Sequence, residues 1–343
     1  MQADDFLISE IITQPFAHKN EVATLHHALR ENTKKSFIAL ILEIQRALNL
    51  DYTQPLNLIK SLDPERRLHP LFYFDYFLLL EAMHQQDVEK VKAILQDISQ
   101  AKDRYYSDAL VIDNATQNPI TEYFKEHATK NIQGNETFEP LTPEEYQITQ
   151  KQIKKVFDLI KQANPALYDE IKNIVSVIHI SKGKFSTTAS SSLRYFGMIT
   201  LRYLKMNSEA QQFFYFFDSI VHEAAHIYLN LLMTFDPFVI NSKEEYYSPA
   251  RNTSRPMKGI FHAHFVFYRL INAFHAAKKW LPAEKEKDSV SYEGISIAKL
   301  PYYYDTRLNA YIQKFQQGKE IISQHAKLTK IGKEFFQNLS IEK

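Results

Sequence analysis

The stretch Gln212-Phe-Phe-Tyr-Phe-Phe-Asp-Ser-Ile-Val-His-Glu-Ala-Ala-His-Ile-Tyr-Leu-Asn-Leu-Leu-Met233 constrains the fold more than any other. It is too long for a strand and is apolar on nearly every side of a helical wheel, so it belongs in the middle of the protein. The pattern starts near Ser208, with Gln211 at a capping-box position, and stays helical until Asp236-Pro237 stops it. Within it stands HEAAH. His222 and His226 are four apart, which puts both imidazoles on one helix face at the separation a single divalent ion needs. Glu223 lies about 100° around the helix, within reach of a water on such an ion. Imidazoles buried among Ile220, Val221, Ala224, Ala225, Tyr228 and Leu229 need partners, and a metal supplies one.

The rest of the composition narrows what can share the site. Cysteine is absent, so any metal is held by His and carboxylate, and disulfides and thiol nucleophiles are excluded. Forty-one Lys+Arg against 40 Asp+Glu leave a formal charge of +1, with no global field to recruit nucleic acid or an anionic membrane. The apolar runs, including Leu71-Phe-Tyr-Phe-Asp-Tyr-Phe-Leu-Leu-Leu80, are broken by charge well short of the roughly 20 residues that span a bilayer. The opening MQADDFLISEIITQPF is acidic where a secretory signal is basic, and a cytoplasmic protein is expected.

Two regions are expected along the 343 residues. Residues 1–130 read as a helical scaffold, with apolar residues recurring at three and four positions through Lys35–Leu48 and Val88–Ile98. Lys130–Pro140 is the best linker. Residues 140–343 hold the metal-binding domain. Thr142-Pro-Glu-Glu145 signals a helix running to about Ala163, since Thr can cap, Pro fits the first turn and Glu closes a capping box. Ile174–Ile180 and Tyr195–Tyr203 are rich in β-branched and aromatic residues and read as strands joined by the Ser/Thr-rich Ser186–Ser192. The expected class is α+β and predominantly helical: zincin-like active-site helices beside a small sheet, with a helical N-terminal region.

Two ring nitrogens seldom suffice for a metal, so a third ligand must come from elsewhere. Glu244 and Glu245 follow His226 at the distance a gluzincin-like zinc peptidase uses, but they fall in a polar stretch without helical period. Position 229 is Leu where the extended metzincin motif needs Gly, and position 232 is Leu where it needs His. Arg255-Pro-Met-Lys-Gly-Ile-Phe-His-Ala-His264 starts a second helix that carries His262 and His264. Residues two apart point to different sides, so one of the two faces the metal.

Together with HEAAH, the downstream Ser248-Pro-Ala-Arg251, Arg255-Pro-Met-Lys-Gly259, Phe261-His-Ala-His-Phe-Val-Phe267 and Leu328-Thr-Lys-Ile-Gly332 resemble a known family. It is the HExxH-motif proteins of ribosomal-peptide biosynthesis, described as 2-oxoglutarate- and iron-dependent peptide β-hydroxylases. The likeness covers roughly residues 175 to 340. Ala250 stands where an aromatic is common in the family and Ala263 where Gly is common. The resemblance implies Fe(II) on His222, His226 and His262, 2-oxoglutarate as cosubstrate, a ribosomally made peptide as substrate, and Glu223 orienting a ligand or water beside the metal. Arginine suits a buried carboxylate, being always charged and bidentate, so Arg251 and Arg255 are the candidates for the distal carboxylate of 2-oxoglutarate. The strand near Tyr195–Tyr203 is expected to receive an extended peptide by strand addition.

Two other classes stand beside this reading. A zinc metallopeptidase would use Glu223 as general base and Glu245 or His262 as third ligand. A non-catalytic peptide-binding protein would use the metal only to tie two helices together.

Overall fold

The computed structural model describes residues 8, 10–16, 18–100, 102–107, 109–114, 139–183, 187–206, 209–278 and 304–341. Ser186, Ser208 and most of the expected linker Lys130–Pro140 lie outside them. The protein is predominantly helical α+β, with ten α-helices among the described residues and a small mixed sheet.

Four helices come first: α1 (Lys19–Leu48), α2 (Thr53–Ser61), α3 (Pro70–His84) and α4 (Val88–Ser99). After β1 (Val111–Asn114), α5 (Pro143–Ala163) starts on the expected capping box. The Thr142 hydroxyl accepts from the Glu145 backbone N–H at 3.3 Å, and the Glu145 carboxylate accepts from the Thr142 N–H at 2.9 Å. Asn164 then caps α6 (Pro165–Ile174), accepting from the Leu167 N–H at 3.0 Å.

The sheet continues with β2 (Val177–Ser181), β3 (Ala189–Ser191) and β4 (Met198–Arg202), in the spatial order β1-β2-β4-β3. β1, β2 and β4 run parallel, and β3 is antiparallel to β4. Both strands are shorter than the sequence suggests. α6 holds the chain helical to Ile174, and Gly197, at φ +88°, turns it just before β4. The Gly197 carbonyl accepts from the N–H groups of Ser176 and Val177, and a Cβ there would meet the Ile174 carbonyl at 3.2 Å.

α7 (Glu209–Met233) is the helix of the opening stretch and runs through the core. Phe214 and Phe217 set their rings against Phe274 of α8 (Met257–Ala277), at centroid distances of 5.3 and 5.6 Å. Between α7 and α8 lies a hairpin of β5 (Glu245–Ser248) and β6 (Thr253–Pro256). α9 (Tyr304–His325) packs along α8, with Phe315 stacked on His264 at 4.2 Å, and α10 (Lys330–Asn338) follows.

Two tethers fix α7 and α8. Arg269 of α8 is fully buried, pairs with Glu170 of α6, and donates to the Pro15 carbonyl at 2.8 Å. The terminal Leu328-Thr-Lys-Ile-Gly332 docks on the corner after α7. There Thr329 bonds Asp236 at 2.6 Å, the Ile240 N–H donates to the Lys327 carbonyl at 2.7 Å, and Gly332 packs directly on the Phe238 backbone. The buried core is continuous from Ile11 to Leu339. Among the described residues no helix is long and apolar enough to cross a membrane.

Candidate metal centre

α7 and α8 bring three imidazoles together. The rings of His222 and His226 are 5.1 Å apart, centroid to centroid, and His262 stacks on His226 at 5.7 Å. The Nδ1 atoms of His226 and His262 face each other at 3.4 Å. Two nitrogens each ~2.1 Å from one ion lie ~3.0–3.4 Å apart, so this pair is spaced for a shared ligand. The other ring nitrogen of His262, Nε2, is 3.0 Å from Sδ of Met233. As the rings stand, no group of three or more His, Asp or Glu side chains among the described residues forms a metal site.

The donors nevertheless fit a divalent metal in kind. Metal ligands must be unprotonated. Loss of water around the rings is the largest influence on all three. It holds His222 and His226 down to about 3 and His262 well below the ordinary histidine value, and the cations nearby push the same way. Three neutral imidazoles suit Zn or Fe.

His264 goes elsewhere. It is buried on the far side of α8, its Nδ1 bonds the Phe315 carbonyl at 3.1 Å, and Gly318 leaves room for its ring. Glu244 is bound by Asn241 and Tyr246, at 2.9 and 2.7 Å, and Glu245 starts β5 and bonds Ser254 at 3.2 Å. None of their hydrogen bonds reaches the histidine cluster.

Glu223 is buried beside the cluster and accepts from the Ser191 hydroxyl at 2.7 Å. Burial pushes its carboxyl up to about 7, against the opposing pull of the Ser191 bond and of Arg251. Arg251 sits at the tip of the β5–β6 hairpin, exposed. The Arg255 guanidinium lies over the first turn of α8, 3.8 Å from where a Cβ on Gly259 would be. Both arginines act electrostatically on His226, Arg251 also on His222, and Arg255 also on His262.

Three neighbours were not legible in advance. Ser191 falls in the segment expected as a connector, but it lies on β3, one of the two edge strands. Lys314 of α9 is half-buried and acts on His222 together with Arg307. Met233 sits seven residues after His226 at the end of α7, a helical spacing that places it two turns further along.

The strand expected to take a peptide is corrected. β4 is bonded to β2 on one side and β3 on the other, so it has no free edge. β3 is one of the two edge strands, bonded to β4 alone among the described residues, and its Ser191 touches Glu223.

No protein-family model matches the chain, and no curated protein matches its sequence. The likeness to the HExxH family rests on the motifs alone.

Proposed function

We propose that the chain is an Fe(II)- and 2-oxoglutarate-dependent β-hydroxylase of a ribosomally made peptide, a cytoplasmic member of the HExxH family. The observation that supports this most is charge. A divalent ion on His222, His226 and His262 would keep its full charge, because all three rings are neutral. Arg251, Arg255 and Lys314 add more, and among the described residues no carboxylate is hydrogen-bonded to them. Asp218, one turn before His222, is already bound by Arg307 and by the Tyr311 hydroxyl at 2.6 Å. Such a site favours a dianionic ligand, which 2-oxoglutarate is and a metal-bound water is not.

Bound iron with 2-oxoglutarate and O₂ supplies the oxidising power for breaking a C–H bond. The protein's own groups hold and orient. Arg251 and Arg255 would pair with the distal carboxylate of the cosubstrate. Glu223, tied by Ser191, holds a proton or releases it near neutrality and orients a ligand or water beside the histidines. The outer edge of β3 would offer backbone groups to an extended peptide next to Glu223.

One observation favours zinc peptidase chemistry instead: a Glu223 carboxyl at about 7 is well matched to a general base. Mass spectrometry of peptides incubated with iron, 2-oxoglutarate and O₂ separates the two. An intact chain heavier by one oxygen atom, with succinate formed, supports the hydroxylase. Two fragments produced with Zn²⁺ and no O₂ overturn it.

A further inference from the structure

His262 is met on both ring nitrogens by one face of α7. His226 and Met233 are seven apart, two turns along the same stripe of that helix. The His262 ring enters from the start of α8, and each of its nitrogens reaches one of the two. Nδ1 lies 3.4 Å from Nδ1 of His226, and Nε2 lies 3.0 Å from Sδ of Met233. Neighbours in α8 anchor the helix at this end: Phe261 sets its ring 6.0 Å from Phe238, five residues past Met233, and His264 bonds the Phe315 carbonyl on the far side.

The sulfur decides which nitrogen carries the proton. A thioether has lone pairs and no hydrogen, so it can accept a hydrogen bond and never donate one. A bare Nε2 at 3.0 Å would set lone pair against lone pair, whereas an Nε2–H makes a hydrogen bond. A neutral imidazole has a single N–H, and the hydrogen bond made by one nitrogen sets which nitrogen is left for a metal. With the proton on Nε2, Nδ1 is bare, and Nδ1 is the nitrogen that faces His226.

We infer that Met233 is a positioning residue for the third ligand: its thioether accepts the Nε2 proton of His262 and so leaves Nδ1, beside Nδ1 of His226, as the atom that would hold the ion. The inference rests on the metal centre and not on the reaction the metal serves. A carboxylate behind the ring would raise its basicity and return negative charge toward the ion. A thioether is uncharged and a weak acceptor, and it fixes the tautomer without doing so. The charge of the ion is thereby left for an anionic ligand.

The first measurement needs no metal. In the full chain labelled with ¹⁵N-histidine, long-range proton–nitrogen NMR correlations report the tautomer of each ring, and the His262 signals are those missing from His262→Ala. His262 is expected as the Nε2–H tautomer in the wild type and in Met233→Gln, whose amide oxygen also accepts. It is expected to lose that preference in Met233→Leu, which keeps the size of the side chain and has no acceptor. Zn²⁺ titration of the same proteins should give binding weaker by roughly tenfold or more in Met233→Leu and close to wild type in Met233→Gln. A side chain that only fills space would give Met233→Leu the wild-type tautomer and affinity. That result, or a wild-type His262 protonated on Nδ1, would overturn the inference. Wild-type protein that binds neither Zn²⁺ nor Fe(II) would remove the metal centre and this role with it. Zn²⁺ binding as expected, without succinate formation by the iron-loaded protein, would instead fail the hydroxylase reading alone.

Discussion

The Ser191 hydroxyl donates to the Glu223 carboxylate at 2.7 Å, tying the edge strand β3 to the helix that carries the first two histidines. The bond favours the charged carboxylate, so removing it leaves the acid weaker still than its value of about 7. In Ser191→Ala the acidic limb of the pH–activity profile is expected to move to higher pH, with iron content unchanged. A superimposable profile would show that the charge of Glu223 is not used.

The two histidines at the start of α8 should separate by what they lose. His262→Ala is expected to abolish tight metal binding and leave the melting temperature of the metal-free protein nearly unchanged. His264→Ala should keep the metal and lose about 2–4 kcal/mol of stability, because a buried ring stacked on Phe315 is replaced by a cavity. Metal analysis and urea titration of both variants check this, and the reverse pattern would make His264 the ligand.

How much of this was legible in sequence depends on how far apart the determinants lie. The α5 cap needed only Thr142 and Glu145, and α7 needed only its own periodicity, so both were readable. β3 was not, because three residues of a Ser-rich segment become a strand only by pairing with Leu201, Thr200 and Ile199. β1 was missed for the same reason, being four residues whose partner is β2. His262 could be paired with HEAAH through a motif, but the companionship of Lys314 and His222 has no local trace. It follows from how three helices pack, which no spacing along the chain records.

Arg269 and Glu170 form an ion pair with almost no access to water. Arg269→Met leaves a buried carboxylate alone and frees the Pro15 carbonyl, at an expected cost of about 3–5 kcal/mol. The double variant Arg269→Met, Glu170→Leu should lose much less, since it removes the stranded charge. Denaturant unfolding of the three proteins measures the difference; equal losses in the single and double variants would contradict it.

Acid stability has an identifiable contributor in α1. His26 bonds the Asn173 carbonyl at 2.9 Å, and its burial, aided by Arg30, holds it down to about 3 in the folded protein against 6.5 when free. The folded state excludes a proton that the unfolded state accepts. The stabilisation is therefore complete above pH 6.5 and is lost as pH falls toward 3. Between pH 6 and pH 4, His26→Gln should reduce the steepness of that loss by up to about 1.4 kcal/mol per pH unit. Unfolding free energies at several pH values provide the slope.

Gly332 admits no side chain. A Cβ there would lie 2.3 Å from the Phe238 carbonyl oxygen, and backbone cannot swing aside as a side-chain tip can. Gly332→Ala should loosen the docking of α10 and cost about 1–3 kcal/mol, read as a lower melting temperature and faster amide exchange at Thr329 and Ile240.

The two flanks of the histidine cluster are made at different times. His222, His226 and His262 leave the ribosome before Lys314, and at about 5–20 residues per second the delay is several seconds. An ion arriving in that interval meets no ammonium from Lys314. One arriving after α9 has docked binds in the field of the Lys314 ammonium. Metal present during translation should therefore fill the site more readily than metal added to the finished protein.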